Sequence, residues 1–149
     1  MTIEEYVILI QKKFSYLFND YGFDIVYKDE YRSGYGWFRI GLESKSTRIL
    51  FEREQGGGTV FLGSTTSTFN HDTNLQWVNM ASILTYLLKE EWDWSFADRF
   101  SYKERPSVVL SFYSEKLQPM CEQIFKMFES QESIAKWKPE YEKYLNERF

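Results

Sequence analysis

The chain has 149 residues, an apolar fraction of 43% and a formal net charge of −4. This length and apolar content suit one folded domain over residues 1–149 and exclude an intrinsically disordered protein. The acidic balance argues against a protein that binds nucleic acid mainly through its phosphates. The single Cys and single His exclude an intramolecular disulfide and any metal site that needs two imidazoles or several thiolates.

Residues 3–20 show the clearest helical pattern. Thr2 and Glu5 have the spacing of a capping box at the start of this segment, and Gly22 follows its end, where a left-handed residue is favoured. The pattern predicts an amphipathic helix that packs on a flat apolar surface. Its apolar side chains recur at spacings of three and four: Ile3, Tyr6, Val7, Ile10, Phe14, Leu17 and Phe18.

Four short segments with alternating apolar and polar residues come next, at 23–31, 37–44, 47–55 and 59–64. Short turns join them, so they are expected to form an antiparallel meander with one face on the core and one partly in water. In the first strand, Phe23, Ile25 and Tyr27 are predicted to share a face. The predicted core-facing residues of the next two strands are Phe38, Ile40, Leu42, Ile49 and Phe51.

The second half of the chain has helical periodicity. A helix is predicted over residues 75–91, a second from Pro106 to Phe128 and a last one over 133–146. Pro119 either kinks or splits the second helix, and a short strand at 108–112 is an alternative. The order of elements predicts an α+β fold, a four-stranded antiparallel meander flanked by an N-terminal helix and C-terminal helices.

A polar stretch before the second predicted helix contains His71 and Asp72. These two residues form an alternative candidate functional loop, separate from the partner-binding site described below. A His beside a carboxylate can act as a general base in a small hydrolase or transferase. The more ordinary interpretation is a solvated loop in which Asp72 caps the helix, because no motif ties a Ser or Cys nucleophile to His71.

Three other groups are expected to be structural. Glu52 and Glu54 share one face of the third strand, where cross-strand ion pairs explain their charges better than paired catalytic carboxylates do. The glycines at 56–58 precede a strand and not the helix that a phosphate loop requires. Cys121 lies on the apolar side of a helix, as a buried thiol does.

Carboxylates and tryptophans alternate at the end of the helix predicted over residues 75–91 and just after it. Tryptophans ringed by acidic residues are typical of interface anchors for a basic partner. The alternative is a helix end whose rings complete the core while its charges face water. The residues of this predicted partner-binding site are Glu90, Glu91, Trp92, Asp93, Trp94 and Asp98.

The pattern of residues 3–90 resembles that of small cytoplasmic immunity proteins in bacterial polymorphic-toxin systems. It equally resembles other small bacterial families of unassigned function. The resemblance implies a non-enzymatic protein that binds and blocks a cognate toxin. It rests on the amphipathic helix, on Gly36-Trp37-Phe38, on residues 48–54, and on Trp77 opening a helix that ends in Tyr86-Leu87-Leu88.

The leading hypothesis is therefore a protein-binding module with no cofactor or metal, whose partner is a protein such as a basic toxin domain. A small hydrolase or transferase and a small-ligand carrier with a pocket between sheet and helices are the alternatives. Glu4 and Glu5 stand where a secretory signal carries positive charge, and no apolar run is long enough for a membrane span. These patterns favour a cytoplasmic protein that binds neither membrane nor nucleic acid.

Overall fold

The computed structural model describes residues 1–32, 36–54, 57–69 and 76–148. These ranges contain six α-helices, two 3-10 helices and one five-stranded antiparallel sheet, so the fold is α+β. The strands are β1 (Asp24–Arg32), β2 (Trp37–Glu43), β3 (Thr47–Arg53), β4 (Thr59–Ser64) and β5 (Val78–Asn79). The α-helices are α1 (Ile3–Lys13), α2 (Ser15–Asn19), α3 (Met80–Leu88), α4 (Arg105–Leu117), α5 (Cys121–Met127) and α6 (Gln131–Arg148).

The strands lie in the order β1-β2-β3-β4-β5, and every neighbouring pair is antiparallel. The predicted meander is therefore correct, but the count of four strands was wrong. The fifth strand pairs with β4 only through Asn79 opposite Phe61 and Val78 opposite Leu62. A strand of two residues is too short to show alternation, which is why the sequence pattern missed it.

The inner face of the sheet packs against the helices to form the main core. The five predicted core residues of β2 and β3 are all at most 1% exposed and belong to this core. Tyr6 and Ile10 of α1 and Leu110 of α4 pack in the same cluster. Because burial of one large apolar side chain contributes about 1.5–3 kcal/mol, this face is the main source of stability.

The prediction that Phe23, Ile25 and Tyr27 share a face was wrong. Ile25 lies opposite Leu42, and Tyr27 lies opposite the next residue, Gly41, so Val26 is an extra residue in a bulge. A bulge of one residue shifts the phase of the side chains after it. Ile25 therefore packs on the main core, whereas Tyr27 lies on the outer face of the sheet.

The first helical segment begins as predicted, with the Thr2–Glu5 capping box formed. It is not one helix, however, because α1 ends at Lys13 and α2 begins at Ser15. Phe14 lies at the break and is fully buried against Phe51, at 5.0 Å between ring centroids. The apolar stripe thus stays on the core across the break.

Pro119 splits its helix. α4 ends at Leu117, a 3-10 turn covers Gln118–Met120, and α5 begins at Cys121. Proline has no N–H to donate to the preceding turn, so the regular hydrogen bonding stops there. Residues 108–112 are helical, which makes the alternative of a short strand wrong.

The boundaries of two other predicted helices need correction. Residues 78 and 79 form β5, so within residues 77–91 the helix predicted over 75–91 is confined to Met80–Leu88, which is α3. The side chain of Asn79 accepts a hydrogen bond from the Ser82 N–H at 3.3 Å and caps α3. The last helix, α6, is longer than predicted and continues through Pro139.

A second aromatic cluster covers part of the outer face. Phe69 stacks on Tyr27 with ring centroids 5.3 Å apart, and Trp77 lies 5.5 Å from Phe69. An added Cβ on Gly41 would come within 2.4 Å of Cε1 of Phe69, so the ring lies directly on the glycine. Leu50, which was placed on a partly wet face, is fully buried beneath this cluster.

Hydrogen bonds fix the chain around this outer-face cluster. The Trp77 Nε1–H donates to the Thr68 carbonyl at 2.9 Å, and the Ser67 hydroxyl donates to the Gln76 carbonyl at 2.8 Å. Arg48 donates to the Ser67 carbonyl at 2.6 Å while its guanidinium lies 4.7 Å from the centre of the Phe69 ring. The cluster is therefore a closed structural unit.

Candidate functional site

The residues predicted to bind a partner lie in the connector, which is residues 90–104 between α3 and α4. Lys89 ends α3 in a left-handed conformation, with φ of 56°. A 3-10 helix follows at Trp94–Arg99, and the Asp93 side chain caps it by accepting a hydrogen bond from the Ser95 N–H at 2.9 Å. Hydrogen bonds from Ser95 hold the pKa of the Asp93 carboxyl below its usual range. The connector thus has a defined conformation.

The aromatic rings of the connector pack on α4. Trp92 lies 5.1 Å from Phe112, and Trp94 lies 5.3 Å from both Phe112 and Tyr113, measured between ring centroids. Phe96 lies 5.0 Å from Phe112. Trp92, Trp94 and Phe96 are only partly buried, so each ring has one side on the core and another at the surface.

Glu90 holds Trp92 in place. Its Oε2 accepts hydrogen bonds from the Trp92 Nε1–H at 2.8 Å and from the Lys116 ammonium at 3.0 Å. The hydrogen bonds from Trp92 and Lys116 lower the pKa of the Glu90 carboxyl. Glu90 therefore acts as a positioning residue for the indole.

Two other carboxylates of the connector extend into solvent. The Glu91 side chain is 88% exposed and lies 3.6 Å from Arg148, and the Asp98 side chain is 77% exposed and lies 3.9 Å from Arg105. Exposed ion pairs of this kind contribute little to stability. Both carboxylates can therefore exchange these contacts for contacts with another molecule at small cost.

The connector also exposes two aromatic residues that the sequence-based site did not include. Phe100 is 39% exposed and Tyr102 is 67% exposed. Only three other large apolar side chains in the described ranges are exposed, and these are Met1, Ile8 and Val26. Sequence could have suggested Phe100 and Tyr102 because they lie in a segment without helical or strand periodicity.

Trp94 lines two surface cavities. One has a volume of about 510 Å³ and lies between the connector, the start of β4 and α4. The other has a volume of about 300 Å³ and lies between the connector, α3 and the end of α6. The connector therefore borders two recesses, and the Trp94 side chain contributes to both.

The other predicted site residues lie elsewhere. His71 and Asp72 fall outside the described residues. Arg39 lies directly opposite Glu52 in the sheet, with 3.1 Å between Arg39 Nε and Glu52 Oε2, which confirms the predicted cross-strand ion pair. Burial raises the pKa of Glu52, while Arg39 opposes this effect.

Cys121 is fully buried, as predicted, and burial raises the pKa of its thiol to about 12. The group is therefore a neutral thiol at physiological pH and not an activated nucleophile. In the described part of the chain, no three His, Cys, Asp or Glu side chains are grouped so that they could hold a metal ion.

A bilayer-spanning helix needs about 20 predominantly apolar residues. The described ranges contain no such helix, and the longest one, α6, has charged residues along its length. No family model, curated protein or solved structure matches the chain.

Proposed function

We propose that this protein is a non-enzymatic protein-binding module and that its partner binds the connector. The observation that carries this proposal is the exposure of Phe100 and Tyr102 in the same connector that carries the partly buried Trp92 and Trp94. Partly exposed aromatic side chains on a well-packed support are the usual anchors of protein interfaces. For Trp92 and Trp94 the support is α4, which contacts both rings through Phe112.

The charge of the connector favours a basic partner. Residues 90–104 contain five acidic and two basic residues. Exposed charges at the edge of an interface mainly speed association, whereas buried aromatic anchors slow dissociation. Glu91 and Asp98 are placed for the first role, and the tryptophans for the second.

The specific form of the proposal is an immunity protein that neutralises a basic toxin domain. The resemblance of residues 3–90 to immunity proteins supports it, and so does the kind of surface that the connector presents. An immunity protein acts by binding and covering its toxin, so it requires complementarity of shape and charge and no catalytic group of its own. The acidic and aromatic surface of the connector supports such a role.

Capture of a partner tests this proposal. The wild-type protein and a Phe100→Ser/Tyr102→Ser variant are immobilised and exposed to lysate of the cells that encode the chain. We expect the wild type to retain a protein that the variant retains at least tenfold less well. Co-expression of the wild type, and not of the variant, should restore the growth of cells that express the captured protein.

The control is Ile8→Ser, which removes an apolar side chain that is 59% exposed on α1, outside the connector. It should capture the partner as well as the wild type does. Equal capture by the connector variant would show that the partner binds another surface. A captured protein that does not impair growth would contradict the immunity function while leaving a binding module.

A small-ligand carrier is the second candidate. A cavity of about 620 Å³ lies between the end of β4, Trp77 and α6, where sheet and helix meet. Protein that captures no partner but releases a small molecule on denaturation would favour this function over the first. The hypothesis of a hydrolase or transferase at His71 receives no support from the described residues.

A further inference from the structure

We propose that the cavity of about 510 Å³ beside Trp94 receives an arginine side chain of the partner. This inference rests on the proposed protein-binding function and adds the chemical group that the site recognises. The cavity opens between the 3-10 helix of the connector, the first residues of β4 and α4. Its lining includes Trp94, Tyr113, Val109, Asp93, Asp98 and Gly58.

Aromatic and aliphatic groups form part of the lining of this cavity. The rings of Trp94 and Tyr113 lie 5.3 Å apart at an angle of 39°, and Val109 is one turn before Tyr113 on α4. Both rings are fixed, since Trp94 also packs on Phe112 and Tyr113 is almost fully buried. A planar guanidinium stacks well on such a surface, and its aliphatic stem can lie against Val109.

Two carboxylates also belong to the lining. Asp93 and Asp98 both line the cavity, and no Lys or Arg is among the lining residues in the described ranges. Two cations lie near the mouth. Arg99 favours the charged form of Asp93. Arg105 lies 3.9 Å from Asp98, and the Nε–H of Arg105 is shared between the carbonyls of Ala97 and Phe100. Arg105 is thus held by the backbone, and the exposed Asp98 carboxylate is able to turn towards a guest.

Arginine fits this arrangement better than lysine does. Its guanidinium combines a flat face for the indole with five N–H donors in the plane, so it can stack and bind carboxylates at the same time. An ammonium is a point charge that makes the electrostatic contact without the stacking area. An apolar side chain would make no ionic contact with Asp93 or Asp98.

The probe for this inference is Nα-acetyl-arginine methylamide, and its neutral control is the citrulline analogue of the same shape. Each is titrated into the full chain while the Trp94 indole N–H signal is followed by NMR, with Trp94→Phe used for its assignment. We expect a saturable shift with the arginine compound and at least tenfold weaker binding of the citrulline compound. Binding of the lysine analogue should be at least threefold weaker than that of the arginine compound.

Charge-removing variants locate the site. Asp93→Asn keeps a good capping residue, and Asp98→Asn alters an exposed side chain, so both should fold normally. We expect the double variant to bind the arginine probe at least fivefold more weakly, and Asp98→Asn alone to weaken it about twofold. The matched control, Glu122→Gln/Glu129→Gln, removes two exposed charges on and after α5 and should leave the affinity unchanged.

Equal binding of the arginine and citrulline probes, or equal binding by wild type and the Asp93→Asn/Asp98→Asn variant, would overturn the inference. Tighter binding of the lysine probe would overturn the choice of arginine. These outcomes are separate from the proposed function. If a partner is captured through Phe100 and Tyr102 but the arginine probe does not bind, only the inference about the cavity is contradicted. If the arginine probe binds but no partner is captured, only the proposed function is contradicted.

Discussion

The outer-face cluster and the connector are both built on tryptophan, yet water reaches them very differently. Trp77 and Phe69 of the outer-face cluster are 6% and 9% exposed, whereas Trp92 and Trp94 of the connector are only partly buried. The first cluster covers a sheet face and is itself closed by hydrogen bonds from side chains to backbone carbonyls. The second packs on one helix and ends in exposed rings and carboxylates.

This difference shows that aromatic content by itself does not mark an interface. Aromatic residues stabilise a fold when the chain covers them, and they are available to a partner when it does not. The polar partners of the two indoles differ in the same way. The Trp77 N–H donates to a backbone carbonyl, and the Trp92 N–H donates to the ionisable side chain of Glu90.

The largest expected effect is that of Trp77→Ala. Because Trp77 is buried against Phe69, its removal should lower the free energy of unfolding by about 3 kcal/mol or more. Trp92→Ala should cost clearly less, since that ring is already partly in water. Urea denaturation followed by circular dichroism measures both, and equal losses would remove the structural distinction between the two clusters.

A smaller effect is expected for Gly41→Ala. The new methyl group would lie within 2.4 Å of the Phe69 ring, so the ring must shift, and such overpacking costs about 2 kcal/mol. The same substitution in a Phe69→Ala background should cost much less, because the obstructing ring is gone. If the two backgrounds lose equal stability, Phe69 does not lie on the sheet as described.

The smallest effect concerns pH at the connector. The pKa of the Glu90 carboxyl is lowered in the folded protein from its ordinary value of 4.5. The hydrogen bond that Glu90 accepts from Trp92 is therefore fully present above pH 4.5 and is lost as the pH falls through the lower pKa of the folded state. The Trp92 indole N–H signal in NMR should therefore move below about pH 4.5. Glu90→Gln should abolish the movement.

Trp77 is the internal control for that titration, because its N–H donates to the Thr68 carbonyl, which does not titrate. Its signal should stay in place over the same range of pH. Parallel movement of both indole signals would indicate general acid unfolding and would contradict the assignment of the change to Glu90.

Much of the fold follows from local pattern. The alternation of β2 and β3 correctly placed Phe38 and Ile40 on the core, and the Thr2–Glu5 capping box formed where the sequence indicates. The connector could also be recognised, because its acidic and aromatic residues interrupt helical periodicity. Periodicity is a property of neighbouring residues, so it can be detected without knowledge of the rest of the chain.

What the pattern could not show is which surfaces other segments cover. By alternation Leu50 shares a strand face with Arg48 and Glu52, which predicts a partly wet position, yet it is fully buried because Phe69 and Trp77 pack over it. The bulge at Val26 likewise moves Tyr27 to that face. Neither outcome has a local signal, since both depend on pairing with distant residues.

The sequence by itself therefore indicated an N-terminal helical segment, four strands of the meander, the helices that follow, and the core-facing residues of β2 and β3. The tertiary structure alone decided that Trp77 is closed within the fold while Phe100 and Tyr102 are left exposed. It also decided that Glu90 supports an indole while Asp93 and Asp98 share one cavity. The physical reason is that exposure and charge pairing depend on contacts between segments far apart in the chain, whereas secondary structure is dominated by contacts between neighbours.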